Sequence, residues 1–79
     1  MNNSIPLLEP LFDRSADLSQ REIEVLNLIA AGHQSKDAAD ILFLSKRTVD
    51  SHLSRVYNKL RVSNRIQAVS AARELGMLS

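Results

Sequence analysis

Six side chains able to hydrogen-bond recur over a short stretch: Arg47, Asp50, Ser51, Ser54, Arg55 and Asn58. Wound at 3.6 residues per turn, they share one side of a helix, while Val49, Leu53, Val56 and Leu60 share the other. None of the six is bulky and apolar, and the two serines let that side approach another surface closely. Such a set suits the edges of stacked bases. Arg55 presents two donors to a guanine edge, and Asp50 either accepts from a cytosine amino group or orients a neighbouring arginine. Asp50, Ser51, Ser54 and Arg55 are therefore the candidates for base contact. Lys46, Arg47 and Thr48 stand at the amino end of the same helix, where unpaired backbone amides also favour a phosphate. Lys59 and Arg61 lie too far along to reach those bases and fit phosphates better. Ser35 and Lys36, at the start of the preceding helix, complete the phosphate set.

The charge distribution singles out the same stretch. The chain carries a net +1, but residues 1–17 sum to −2 and residues 18–41 to −2. Residues 42–66 hold Lys46, Arg47, Arg55, Lys59, Arg61 and Arg65 against Asp50 alone, a net +5. A basic block inside a near-neutral chain is a candidate footprint for a polyanion. From charge alone, a solvated helix face reads equally well.

Those side chains need elements to hold them. Two glycines, two prolines and 4% aromatic residues point to an all-α domain rather than a sheet. Both prolines fall at Pro6 and Pro10, so residues 1–17 read as a short leader or linker and 18–79 as the folded domain. Leu7, Leu8, Leu11 and Phe12 would pack on the domain, or on a partner, or fray with the linker. Ser19-Gln20-Arg21-Glu22 is a capping box, with Leu18 and Ile23 at the positions of a hydrophobic staple. The first helix is expected over about 20–31, ending at Gly32. Ser35 would cap a short second helix that ends near Leu42. Phe43-Leu44 forms a brief turn to Ser45, the cap of a third helix over about 46–60. Ser63 would cap a fourth, over about 64–75, with Ala68, Val69, Ala72 and Leu75 facing inward and Gly76 ending it. Ala39 and Val49 stand ten residues apart, a small residue that lets the next helix cross closely and an apolar one that fills the crossing. A turn this short sets the two helices steeply and pushes the later one outward, and the major groove of DNA is wide enough to admit it.

The run from Leu18 to Ala68 resembles the LuxR-type, or GerE-type, helix-turn-helix domain of bacterial transcription regulators. Leu18-Ser19, Arg21-Glu22, Glu24-Val25-Leu26, the Ala31-Gly32 end, Lys36, Ala39, Leu44-Ser45, Thr48-Val49, His52-Leu53, Lys59-Leu60, Val62, Arg65 and Ala68 carry the likeness. Gly76-Met77-Leu78 is similar to the family's usual ending. The resemblance implies four helices, the third in the major groove and the fourth forming a dimer contact. The sequence departs from the family in three places. Gln34-Ser35-Lys36-Asp37-Ala38-Ala39 replaces the more usual Ser-Asn-Lys-Glu-Ile-Ala. Asp50 stands where a basic residue is common, and Arg61 stands where the family has glycine. A non-glycine there either adopts a positive φ at modest cost or changes the turn.

The expected function is sequence-specific binding of double-stranded promoter DNA by a transcription regulator. Gln67, Ser70, Ala71 and Glu74 are small or polar and face outward on the fourth helix, where they would form a weak homodimer contact. RNA polymerase is a further expected partner. A helical module whose basic face meets an acidic protein or RNA is the second reading. His52 either touches a phosphate or packs against the second helix, and Tyr57 packs with its hydroxyl near solvent. An enzyme finds no support in any nucleophile–base pair, phosphate loop or metal spacing. Zero cysteines exclude disulfides and thiolate zinc sites. No metal, cofactor, small-molecule ligand or membrane contact is expected. The expected place is the cytoplasm, on the nucleoid.

Overall fold

The computed structural model describes residues 18–78, so the expected leader at 1–17 lies outside the described residues. Four helices follow one another: α1 over Gln20–Ala30, α2 over Ser35–Leu42, α3 over Lys46–Leu60 and α4 over Arg65–Glu74, with no strand among the described residues. The chain is all-α, as its composition and periodicity indicate.

The N-termini follow local chemistry. At α1 both halves of the capping box form. The Glu22 amide donates to Ser19 Oγ at 3.1 Å, and the Ser19 amide donates to Glu22 Oε1 at 2.9 Å. At α3 the Thr48 amide donates to Ser45 Oγ at 3.0 Å. Two expected caps move by one residue. Gln34, with no side-chain bond, occupies the cap of α2, so Ser35 is the first helical residue and its hydroxyl is left for other work. Asn64, not Ser63, caps α4: its Oδ1 accepts from the Gln67 amide at 2.9 Å, and the Ser63 amide donates to Gln67 Oε1 at 2.8 Å. At α4 adjacent residues of similar capping strength leave the choice to the approach of the chain, whereas at α2 the chain passes over the better capping type, Ser35, for Gln34.

All four helices end the same way. Just past each end an amide folds back on the carbonyl five residues earlier: His33 to Leu28, Leu44 to Ala39, Val62 to Tyr57 and Met77 to Ala72. Each ending needs one left-handed residue. Gly32 (φ 105) and Gly76 (φ 74) supply two of them, but Phe43 (φ 58) and Arg61 (φ 59) supply the others. The two non-glycine endings lie at either end of α3.

The core has two parts, both resting on α3. Val56 and Leu60 pack with Leu18, Leu26, Ala68 and Ala72. Val49 and Leu53 pack with Val25, Ile29, Ala38 and Ala39. Tyr57 flanks both clusters. The alanines of α2 and α4 bring those helices close, with Ala39 and Val49 meeting in one cluster as their spacing suggests. Each buried valine or leucine is worth roughly 1.5–3 kcal/mol of transfer free energy. A single face of α3 is thus held from behind along its whole length.

Candidate nucleic-acid interface

Burial of Val49, Leu53, Val56 and Leu60 turns the opposite side of α3 to solvent. Lys46, Arg47, Asp50, Ser51, Ser54, Arg55 and Asn58 are all exposed there. Lys46, Arg47, Asp50, Ser51 and Ser54 line an open hollow of about 410 Å³. Thr48 is half-buried, and its Oγ1 accepts from the Ser45 hydroxyl at 2.9 Å. Lys36 is exposed on the first turn of α2. The four residues expected to meet bases therefore share one face with Lys46 and Arg47, two of those expected to meet phosphates.

Asp50 does not orient an arginine. Lys46 Nζ donates to Asp50 Oδ2 at 2.8 Å, one helical turn away. The Lys46 bond, and after it a bond from the Ser35 hydroxyl, outweighs slight desolvation and holds the Asp50 carboxyl below the ordinary aspartate range. The displaced cap residue of α2 thus serves α3. Lysine before aspartate at this spacing is legible in the sequence as an i,i+4 pair.

Lys59 stands apart from the other cations. Its Nζ donates to Glu22 Oε1 at 2.8 Å across 37 positions of sequence. Glu22 is only 3% exposed. Burial pushes its carboxyl up, but the Lys59 and Ser19 hydrogen bonds and the charge of Lys59 outweigh this and leave it below the ordinary glutamate range. The pair bolts α1 to the last turn of α3. Nothing in the sequence pattern joins residues so distant. His52 is half-buried, and its buried Nδ1 has no hydrogen-bond partner. Arg61, exposed and left-handed, follows the end of α3, and Arg65 Nη2 donates to the His33 carbonyl at 3.1 Å.

On α4, Ser70 and Glu74 are exposed, and Gln67 is exposed while bonded into the cap. Ala71 is half-buried against the cluster around Leu18 and Leu26, so it offers less outward surface than its helical position suggests. Ile66, not among the expected contact residues, is 80% exposed. Its place one position before Gln67 could have marked it. Among the described residues no group of three or more His, Asp or Glu could hold a metal ion, and no helix is long and apolar enough to cross a membrane.

A short helix, a tight turn and a longer helix with a basic outer face, set on two supporting helices, define a helix-turn-helix domain. Residues 16–72 match the family model for bacterial regulatory proteins of the luxR family. The solved structure of the transcription factor GerE superposes with a TM-score of 0.75 at 39% identity, covering 78% of this chain and 92% of that one. The transcriptional regulatory protein DesR of Bacillus subtilis is 39% identical over 70 residues, 89% of this chain and 35% of DesR. The CsgBAC operon transcriptional regulatory protein of Escherichia coli is 43% identical over 60 residues, 76% of this chain and 28% of that protein. The chain belongs to the LuxR family of bacterial regulatory proteins, which are DNA-binding transcription factors and not enzymes. It spans about a third of the length of DesR and of the CsgBAC operon regulator.

Proposed function

We propose that this domain binds double-stranded promoter DNA with α3 in the major groove. Asp50, Ser51, Ser54 and Arg55 meet base edges, and Arg47, Thr48 and Lys36 meet phosphates on either side. Lys46 joins the phosphate set once Asp50 gives it up. Arg61 reaches the backbone from the far end of α3, and Lys59 supports the helix from behind. The carrying observation is that the buried stripe of α3 leaves one continuous polar and basic face outward. Two copies pair weakly through the exposed side of α4, with Ile66 beside Gln67, Ser70 and Glu74. Bound next to a promoter in the cytoplasm, the domain would influence RNA polymerase. Selection of duplexes from a random pool tests this reading. Enrichment of one short motif, with affinity that falls as salt rises, is expected. Equal recovery of all duplexes, or tighter capture of single-stranded RNA, would overturn it.

A further inference from the structure

The basic stretch from 42 to 66 contains one carboxylate, and that carboxylate is placed on the cation nearest the start of α3. Lys46 is the first helical residue, and Asp50 Oδ2 takes its ammonium at 2.8 Å. Lys46 is the only ion-pair partner of Asp50 among the described residues; Arg47 and Arg55 leave it alone. Both side chains are about half exposed or more, 64% and 47%, so solvent screens the pair and a phosphate can compete for the lysine. Lysine ahead of acid is also the weaker order for such a pair on a helix. The pair is therefore held loosely enough to open. It lies on the wall of the hollow shared with Arg47, Ser51 and Ser54, in the centre of the proposed reading face.

We propose that Asp50 is a discriminator that withholds Lys46 from phosphates and releases it when a base amino group, such as that of cytosine, takes the carboxylate in its place. The inference rests on the placement of α3 in the major groove. On an unmatched duplex, moving Lys46 to a phosphate strands a carboxylate in a groove crowded with negative charge. On a matched one, the amino edge accepts the carboxylate as the lysine leaves, and the bonds are exchanged rather than lost. Ser35, the weaker donor on the same carboxylate, keeps it oriented during the exchange. Specificity then arises from a cost on wrong sequences as much as from a contact on the right one.

The test uses the parent, Asp50→Ala, Lys46→Ala and the double variant. Each is titrated on the selected duplex and on a random duplex of equal length, across a range of salt, with thermal melting to monitor folding. Asp50→Ala should tighten random binding by about 3- to 10-fold and steepen its salt slope by about 0.9, the value of one added phosphate contact. Preference for the selected duplex should fall by roughly tenfold or more. Lys46→Ala should change random binding little in the parent, yet erase the added slope when Asp50 is already alanine. Asp50→Asn, which keeps the shape and loses the charge, should act in the same direction. Random binding and slope equal to the parent's in Asp50→Ala would overturn the proposal, whether the selected duplex binds less well (a plain reader) or equally well (a residue outside the groove). Loss of binding to both duplexes with unchanged melting would also overturn it. A parent that prefers no duplex at all would instead bring down the proposed function.

Discussion

Glu22 and Asp50 are both carboxylates beside a lysine, yet burial gives them opposite uses. Glu22 is inside, ties Ser19 to Lys59, and joins two helices; Asp50 is outside, with a partner that can be exchanged. Because the folded state lowers the Glu22 pKa, its stabilisation is complete above the ordinary glutamate range and is lost as pH falls through the lower folded value. Glu22→Gln keeps a group able to accept from Ser19 but loses the charge. It should cost about 1–2 kcal/mol near neutral pH, discounted because Lys59 is partly solvated, and flatten the decline of the melting temperature in acid. A decline as steep as the parent's would place the acid-sensitive group elsewhere. Among the described residues Arg55 makes no ion pair, and it faces outward, so Arg55→Ala should leave melting unchanged. It should weaken the selected duplex by about 1–3 kcal/mol and relax one base pair of the motif in a repeated selection. An intact motif would assign that base pair to another residue. The exposed face of α3 was legible from sequence because spacing alone separates it from Val49 and Leu53. The charges behind it were not, since Glu22 and Lys59 meet only through the fold.

Element boundaries repeat that division. The capping box of α1, the Ser45 cap, the end of α2 at Leu42 and the extent of α3 were all readable from short-range chemistry. The caps of α2 and α4 were not: at α4 Ser63 and Asn64 are adjacent residues of capping type and tertiary approach selects one, while at α2 the cap falls on Gln34, a residue type with no capping preference. The left-handed ending at Arg61 was foreseeable from its family position, but that at Phe43 was not, since an aromatic residue gives no turn signal. Phe43 combines a left-handed backbone with 93% exposure, so neither conformation nor burial rewards it. Phe43→Gly and Arg61→Gly should each raise stability, by up to about 1 kcal/mol, less whatever the unfolded chain gains in freedom. Denaturant titration would show it as a higher midpoint at constant slope. Arg61→Gly should also flatten the salt dependence of DNA binding by about 0.9. A more stable Arg61→Gly with the parent's salt slope would show that the arginine stays clear of phosphate.

On the proposed placement, the molecule as a whole would present one reading helix, enough for a few base pairs. Two copies would double both contact and readout, with half-sites about one helical turn of DNA apart. Ile66 exposes apolar surface on an otherwise plain α4, which suits a contact too weak to hold without DNA. The free domain should sediment as a monomer at micromolar concentration and bind a palindromic duplex two-to-one with cooperativity. Ile66→Glu should remove the cooperativity and spare binding to a single half-site; unchanged cooperativity would move the contact off this face. Ala71 is a poorer probe, because a charge there also disturbs the packing near Leu18. One consequence of how α3 is mounted reaches past the single protein. Val49, Leu53, Val56 and Leu60 hold the helix, while Asp50, Ser51, Ser54 and Arg55 contribute nothing to the core. If those four residues read bases as proposed, duplicated genes carrying this domain could diverge in the promoters they serve with little folding penalty, through mutations confined to codons whose products the interior never meets.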